Sequence, residues 1–110
     1  MKLRPTFKRN WLRALRSGKY KQGKNALKGK GRERCCLGVA CDVLGAEWTR
    51  RSDSAFYPII KDHVGESYAY LDEAVTERIG LEYVVQRKLA TMNDDGKSFE
   101  EIADYIRDNL

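Results

Sequence analysis

Histidine is almost absent from this 110-residue chain, which holds only His63, and there are just two prolines and three cysteines. A single imidazole excludes multi-histidine metal centres. Cys35, Cys36 and Cys41 form no Cys-x-x-Cys pair of the kind that structural zinc sites use. Their odd number and the vicinal pair, which ordinary backbone geometry does not readily bridge, argue against a disulfide framework and agree with a reducing compartment. Also lacking is any apolar run near the ~18 residues that would span a bilayer. Met1-Lys2-Leu3-Arg4-Pro5-Thr6 has no apolar signal core behind its charges. These absences predict a cytoplasmic protein without a membrane partner.

Acidic residues are missing from one end. Residues 1–34 hold thirteen Lys or Arg against Glu33 alone, a formal +12, while the rest of the chain carries −7, for a net +5. A charge split of this size predicts that the basic third meets either a polyanion or the chain's own acidic half. The 42% hydrophobic and 34% charged fractions fit one globular domain over 1–110, with a basic helix and arm over 1–34 and a helical core over 35–110.

Periodicity then places the elements. Pro5 and Thr6 open a helix whose stripe is Phe7, Trp11, Leu12 and Leu15, closed by Gly18. Lys19 to Arg34 sets Gly23, Gly29 and Gly31 among seven lysines and arginines, which predicts an arm or a short hairpin turning at Lys28-Gly29-Lys30-Gly31. Cys35 to Leu44 is apolar nearly all round and predicts a buried helix ended by Gly45. Residues 46–70 suit a long loop holding short extended pieces. Asp72 is placed to cap a helix over 73–79, with Ala74, Val75 and Ile79 facing the core and Gly80 ending it. A helix follows over about 82–92, then a turn at Asn93-Asp94-Asp95-Gly96. Ser98 with Glu101 forms a capping box for a last helix whose apolar face is Phe99, Ile102, Ala103, Ile106 and Leu110. The expected fold class is therefore α+β, mainly α, with about five helices.

Trp11-Leu12-Arg13-Ala14-Leu15-Arg16-Ser17-Gly18, Cys35-Cys36-Leu37-Gly38-Val39, Leu81 after Ile79-Gly80, and Met92-Asn93-Asp94 with Ser98-Phe99-Glu100-Glu101-Ile102-Ala103-Asp104 carry a resemblance. Together they resemble a family of small uncharacterised proteins encoded by bacteriophages, prophages and some bacterial genomes. The resemblance implies a setting in which small accessory proteins act by binding host machinery. It implies no activity and no catalytic residue.

The basic arm is the strongest functional feature. Lys19, Lys21, Lys24, Lys28, Lys30, Arg32 and Arg34 neutralise phosphates and release counterions, glycines allow close backbone approach, and Tyr20 is a stacking group. The expectation is a non-enzymatic accessory protein binding nucleic acid or an acidic host protein complex, a defence complex among the options, through these residues and with no cofactor. The plain alternative is a solvated basic surface pairing with acidic residues of the C-terminal half.

Other constellations weigh less. Cys36 and His63 offer a cysteine-dependent hydrolase as the second function, though the 26 residues between them leave little room for the strands that bring such a pair together; core packing is the plainer reading of all three cysteines. Gly96-Lys97-Ser98-Phe99-Glu100-Glu101-Ile102-Ala103 resembles the first helix of a helix-turn-helix, but the sequence ends at Leu110 without a recognition helix. Asn93-Asp94-Asp95 lacks the alternating ligands of a calcium loop. Gly18-Lys19 and Gly23-Lys24 lack the remaining positions of a phosphate-binding loop.

Overall fold

The computed structural model describes residues 2–110. Its elements run α1 (Pro5–Leu15), β1 (Lys21–Gln22), β2 (Glu33–Arg34), α2 (Cys36–Val43), β3 (Glu47–Arg50), β4 (Phe56–Ile60), β5 (His63–Val64), α3 (Glu73–Ile79), α4 (Tyr83–Asp94) and α5 (Phe99–Asn109). The architecture is α+β and mainly α, as composition and periodicity predict.

The buried helix α2 is the centre of packing. Cys36 to Cys41 are all buried, and the helix is covered by α1 and α4, with α5 lying across α1 and α4. The α1 stripe delivers Phe7, Trp11 and Leu15 to this core, with Leu12 half-buried, because the 3.6-residue period brings them to one side. Burying Trp11 requires a partner for its indole N–H, which donates to the Cys36 carbonyl at 3.0 Å. The capping box forms: the Ser98 hydroxyl accepts the Glu101 N–H at 3.1 Å and the Glu101 carboxylate accepts the Ser98 N–H at 3.0 Å.

Residues 46–70 are more regular than a long loop. They fold into a three-stranded antiparallel sheet in the order β3-β4-β5, with Trp48 opposite Pro58 and Arg50 opposite Phe56. The two-residue alternation of a strand puts these four side chains on one face. Trp48 marks where that face looks, since its indole N–H donates to Asp42 of α2 at 2.9 Å.

Four local expectations need correction. Over 19–34 the chain forms no regular hairpin: β1 and β2 pair in parallel, and the turn at 28–31 closes through a single antiparallel bridge, Lys28 to Arg34. The glycines favour turns, but buried Leu27 and Arg34 pull the segment onto the core instead of letting it project. Asp72 sits at the N-cap of α3 without a side-chain cap, because its carboxylate is taken by His63 Nε2 at 2.7 Å and by the Glu66 N–H. Ala74 is exposed rather than core-facing. Asn93 and Asp94 belong to the last turn of α4, which holds the Asn93 side chain in the interior; Gly96, at φ 101°, makes the reversal that follows.

Candidate polyanion-binding surface

The arm is a folded loop fastened at three points. The first is Leu27, fully buried, whose N–H donates to Tyr68 O at 2.8 Å and whose carbonyl accepts the Cys35 N–H at 3.3 Å. That carbonyl lies so close to Gly38 that a Cβ there would collide with it. Gly38 thus costs α2 some helical propensity and in return lets the loop lie against the helix.

The second fastening is Arg34. Its Nε donates to Asp42 Oδ2 at 2.8 Å, and its Nη1 donates to the carbonyls of Gly31 and Glu33 at 2.9 Å each. The guanidinium lies between the rings of Tyr20 and Trp48, 5.7 and 5.2 Å from their centroids. Only 11% of the Arg34 side chain is exposed, so it is structural and unavailable to a ligand. Burial and the Asp42 carboxylate push the Tyr20 phenol up from its ordinary value, which marks Tyr20 as part of the same packed cluster.

Asn93 supplies the third. Its Oδ1 accepts from Gln22 Nε2 at 2.9 Å and from the Cys36 N–H at 3.1 Å, while its Nδ2 donates to Gly23 O at 2.8 Å. Asp94 adds an acceptor for the Asn25 N–H at 3.0 Å. One amide side chain therefore joins the arm, the start of α2 and the end of α4.

With the backbone held this way, the remaining cations divide clearly. Lys28 is drawn inward: its Nζ donates to the carbonyls of Gly29 and Gly31 at 3.0 and 2.9 Å, and burial with Arg34 nearby lowers its pKa from the ordinary lysine value. Arg32 is exposed and donates to Lys19 O at 3.1 Å, while Lys21 stands 4.0 Å from Glu33. Among the described residues the side chains of Lys19, Lys24 and Lys30 are exposed and have no hydrogen-bond or ion-pair partner.

The carboxylates of α5 are engaged away from the arm's outer lysines. Arg16, the C-cap of α1, bonds Glu100 and reaches Asp104 at 2.8 Å, Arg107 pairs with Asp104 and Asp108, and Lys97 lies 4.0 Å from Glu101. Between the basic third and the acidic half the ion pairs among the described residues are those of Arg16 with α5 and of Arg34 with Asp42, and Lys19, Lys24 and Lys30 take no part in them.

The structure does not bring Cys36 to His63 as a reactive pair. Cys36 is fully buried with its Sγ against Leu89 O at 3.5 Å, and burial raises its thiol well above the ordinary value, the opposite of what a nucleophile needs. His63 is on β5, bonded to Asp72.

Sequence reasoning missed Asp42 and Asn93. Asp42 had a signal, being the one charge in an otherwise apolar segment, which calls for a buried partner. Asn93 had none, because its Asn-Asp-Asp-Gly setting reads as a turn and its partners are far away in sequence.

Fold and site together define a small helical domain carrying a preformed cationic loop on a buried central helix. The chain belongs to the family described as a domain of unknown function, DUF8296, whose profile matches residues 3–110. No curated protein and no solved structure matches it.

Proposed function

We propose that this protein is an accessory protein that binds nucleic acid through the outer surface of its basic arm, with Lys19, Lys24, Lys30 and Arg32 as the contacts and Lys21 beside them. The observation that carries this reading is the contrast within the arm. Its backbone is fastened by Leu27, Arg34 and Asn93, while Lys19, Lys24 and Lys30 hold no carboxylate. A loop already ordered loses little entropy on binding, and cations without internal partners release counterions when they meet phosphates. The resemblance to phage-encoded and prophage-encoded proteins supplies the setting, a host cytoplasm. Neither Lys28 nor Arg34 belongs to the contact set, since both are spent on holding the loop.

The test is a fluorescence-anisotropy titration of mixed-sequence single- and double-stranded DNA across a salt series. Three or four phosphate contacts give a slope of log affinity against log salt of about −3 on duplex DNA. No binding at low salt would reject nucleic acid and turn the search to an acidic host protein.

A further inference from the structure

We infer that the cleft between α3 and α4 is a docking site for an arginine-bearing segment of a partner protein, on a surface separate from the basic arm and independent of nucleic-acid binding. Gly80, left-handed at φ 78°, ends α3 and turns the chain toward α4, and the two helices leave between them a cavity of about 540 Å³. That volume falls within the range of ligand sites, roughly 300–1,000 Å³. Leu71 and Leu81 give the cleft an apolar floor. The floor is fixed, because the fully buried Gln86 side chain accepts the Leu71 N–H on its Oε1 and so ties α4 to the segment before α3.

The rim is acidic. Glu73 and Glu77 border the cleft one helical turn apart on α3, with Glu82 and the exposed Tyr83 at the start of α4. Like charges at i and i+4 destabilise a helix, and Glu77 stands in the last turn of α3, where the helix dipole disfavours a carboxylate. Among the described residues neither the Glu73 nor the Glu77 carboxylate has a hydrogen-bond or ion-pair partner. The cations around them are placed otherwise. Arg4 donates to Arg78 O at 3.4 Å, and Arg87 donates to the Tyr83 hydroxyl at 3.0 Å and lies over the Tyr70 and Tyr83 rings. Lys2, which borders Glu77 from the other side of α3, and Arg78 form no ion pair among the described residues. Two carboxylates without counter-charges above an apolar floor select a cation on an apolar stem, and the guanidinium fork offers two donors to carboxylate oxygens at once. The chain as a whole carries +5, so its net charge repels such a segment and the attraction is local to this cleft.

The test is an NMR titration with a capped Leu-Arg-Leu tripeptide, beside the same peptide carrying citrulline, which has the shape of arginine without its charge. Saturable shifts are expected at the Thr76 and Leu81 amides and the Gln86 side-chain amide, with the citrulline peptide weaker by about fivefold or more. Glu73→Gln/Glu77→Gln should lose the arginine peptide to the same degree while keeping its fold, since both side chains are exposed and glutamine is a comparable helix former. Shifts absent at millimolar peptide, unsaturable, equal for the two peptides or unchanged in this variant would overturn the site. Lys19→Glu/Lys24→Glu/Lys30→Glu should keep peptide binding, because no residue of the arm lines the cleft, and loss of the peptide there would overturn the separation of the two surfaces. If wild-type protein binds the peptide and no DNA, the cleft stands and the function proposed above fails.

Discussion

Asn93 Oδ1 accepts the backbone N–H of Cys36 across 57 residues of chain, at 3.1 Å. Cys36 is the first residue of α2, and its N-cap, Cys35, makes no side-chain cap, so Asn93 does from α4 what a local Ser or Asp does elsewhere. The Cys36 carbonyl takes the Trp11 indole N–H. One peptide unit on either side of Cys36 thus ties α1, α2 and α4 together.

Replacing Asn93 with Ala leaves the Cys36 N–H and the Gly23 carbonyl without their partner, and the Gln22 amide with the Lys97 carbonyl alone. Each unsatisfied buried group costs about 1–3 kcal/mol, and partial relaxation suggests a total on the order of 3 kcal/mol. Urea unfolding of Asn93→Ala should show a much lower midpoint, and an unchanged midpoint would remove Asn93 from the centre of the fold.

Gly38→Ala places a methyl against the Leu27 carbonyl, and backbone cannot yield as a flexible side chain does. Overpacking of this sort costs roughly 1–3 kcal/mol. The loss should be concentrated in the arm, so amide hydrogen exchange at Leu27 and Cys35 is the measurement. Faster exchange there, with α5 still protected, is the expected pattern; a uniform or absent change would show that Leu27 does not hold the loop.

Burial raises the Cys35 thiol to about 11 and raises Cys36 and Cys41 well above their ordinary value. A thiol whose pKa is higher folded than unfolded stabilises the fold fully below the unfolded value near 9, and that contribution is lost as pH rises toward 11. For Cys35 alone, two units correspond to about 3 kcal/mol. Chemical unfolding at pH 8, 9.5 and 11 should show falling stability, less steep in Cys35→Ala. All three thiols should also resist alkylation at pH 8 until denaturant is added.

Ser98→Ala removes one half of an observed capping box and should cost about 1 kcal/mol. A thermal melt that does not shift would mean that Glu101 alone caps α5.

The capping box, the α1 stripe and the burial of α2 were legible because each rests on residues within one or two helical turns. The arm was not, for a physical reason: its glycines and lysines carry a strong local signal for solvated turns, while the contacts that fold it come from Asp42, Tyr68 and Asn93, far away in sequence. Asn93 was read as a turn residue because Asn-Asp-Asp-Gly is turn chemistry, and only the neighbouring α2 makes a helical, buried Asn favourable. The sheet over 46–70 was hidden by short strands and by Pro58 in the middle of β4. Of the expected contact residues, Lys19, Lys24, Lys30 and Arg32 lie exposed, whereas Lys28, Arg34 and Tyr20 are spent on structure.

The most direct measurement is DNA affinity of Lys19→Glu/Lys24→Glu/Lys30→Glu, set beside its melting temperature. Those side chains have no partners in the fold, so the account predicts an unchanged melt together with loss of salt-sensitive binding. A lowered melt would mean that the lysines pair internally, and full affinity in the reversed variant would contradict the arm as the binding surface.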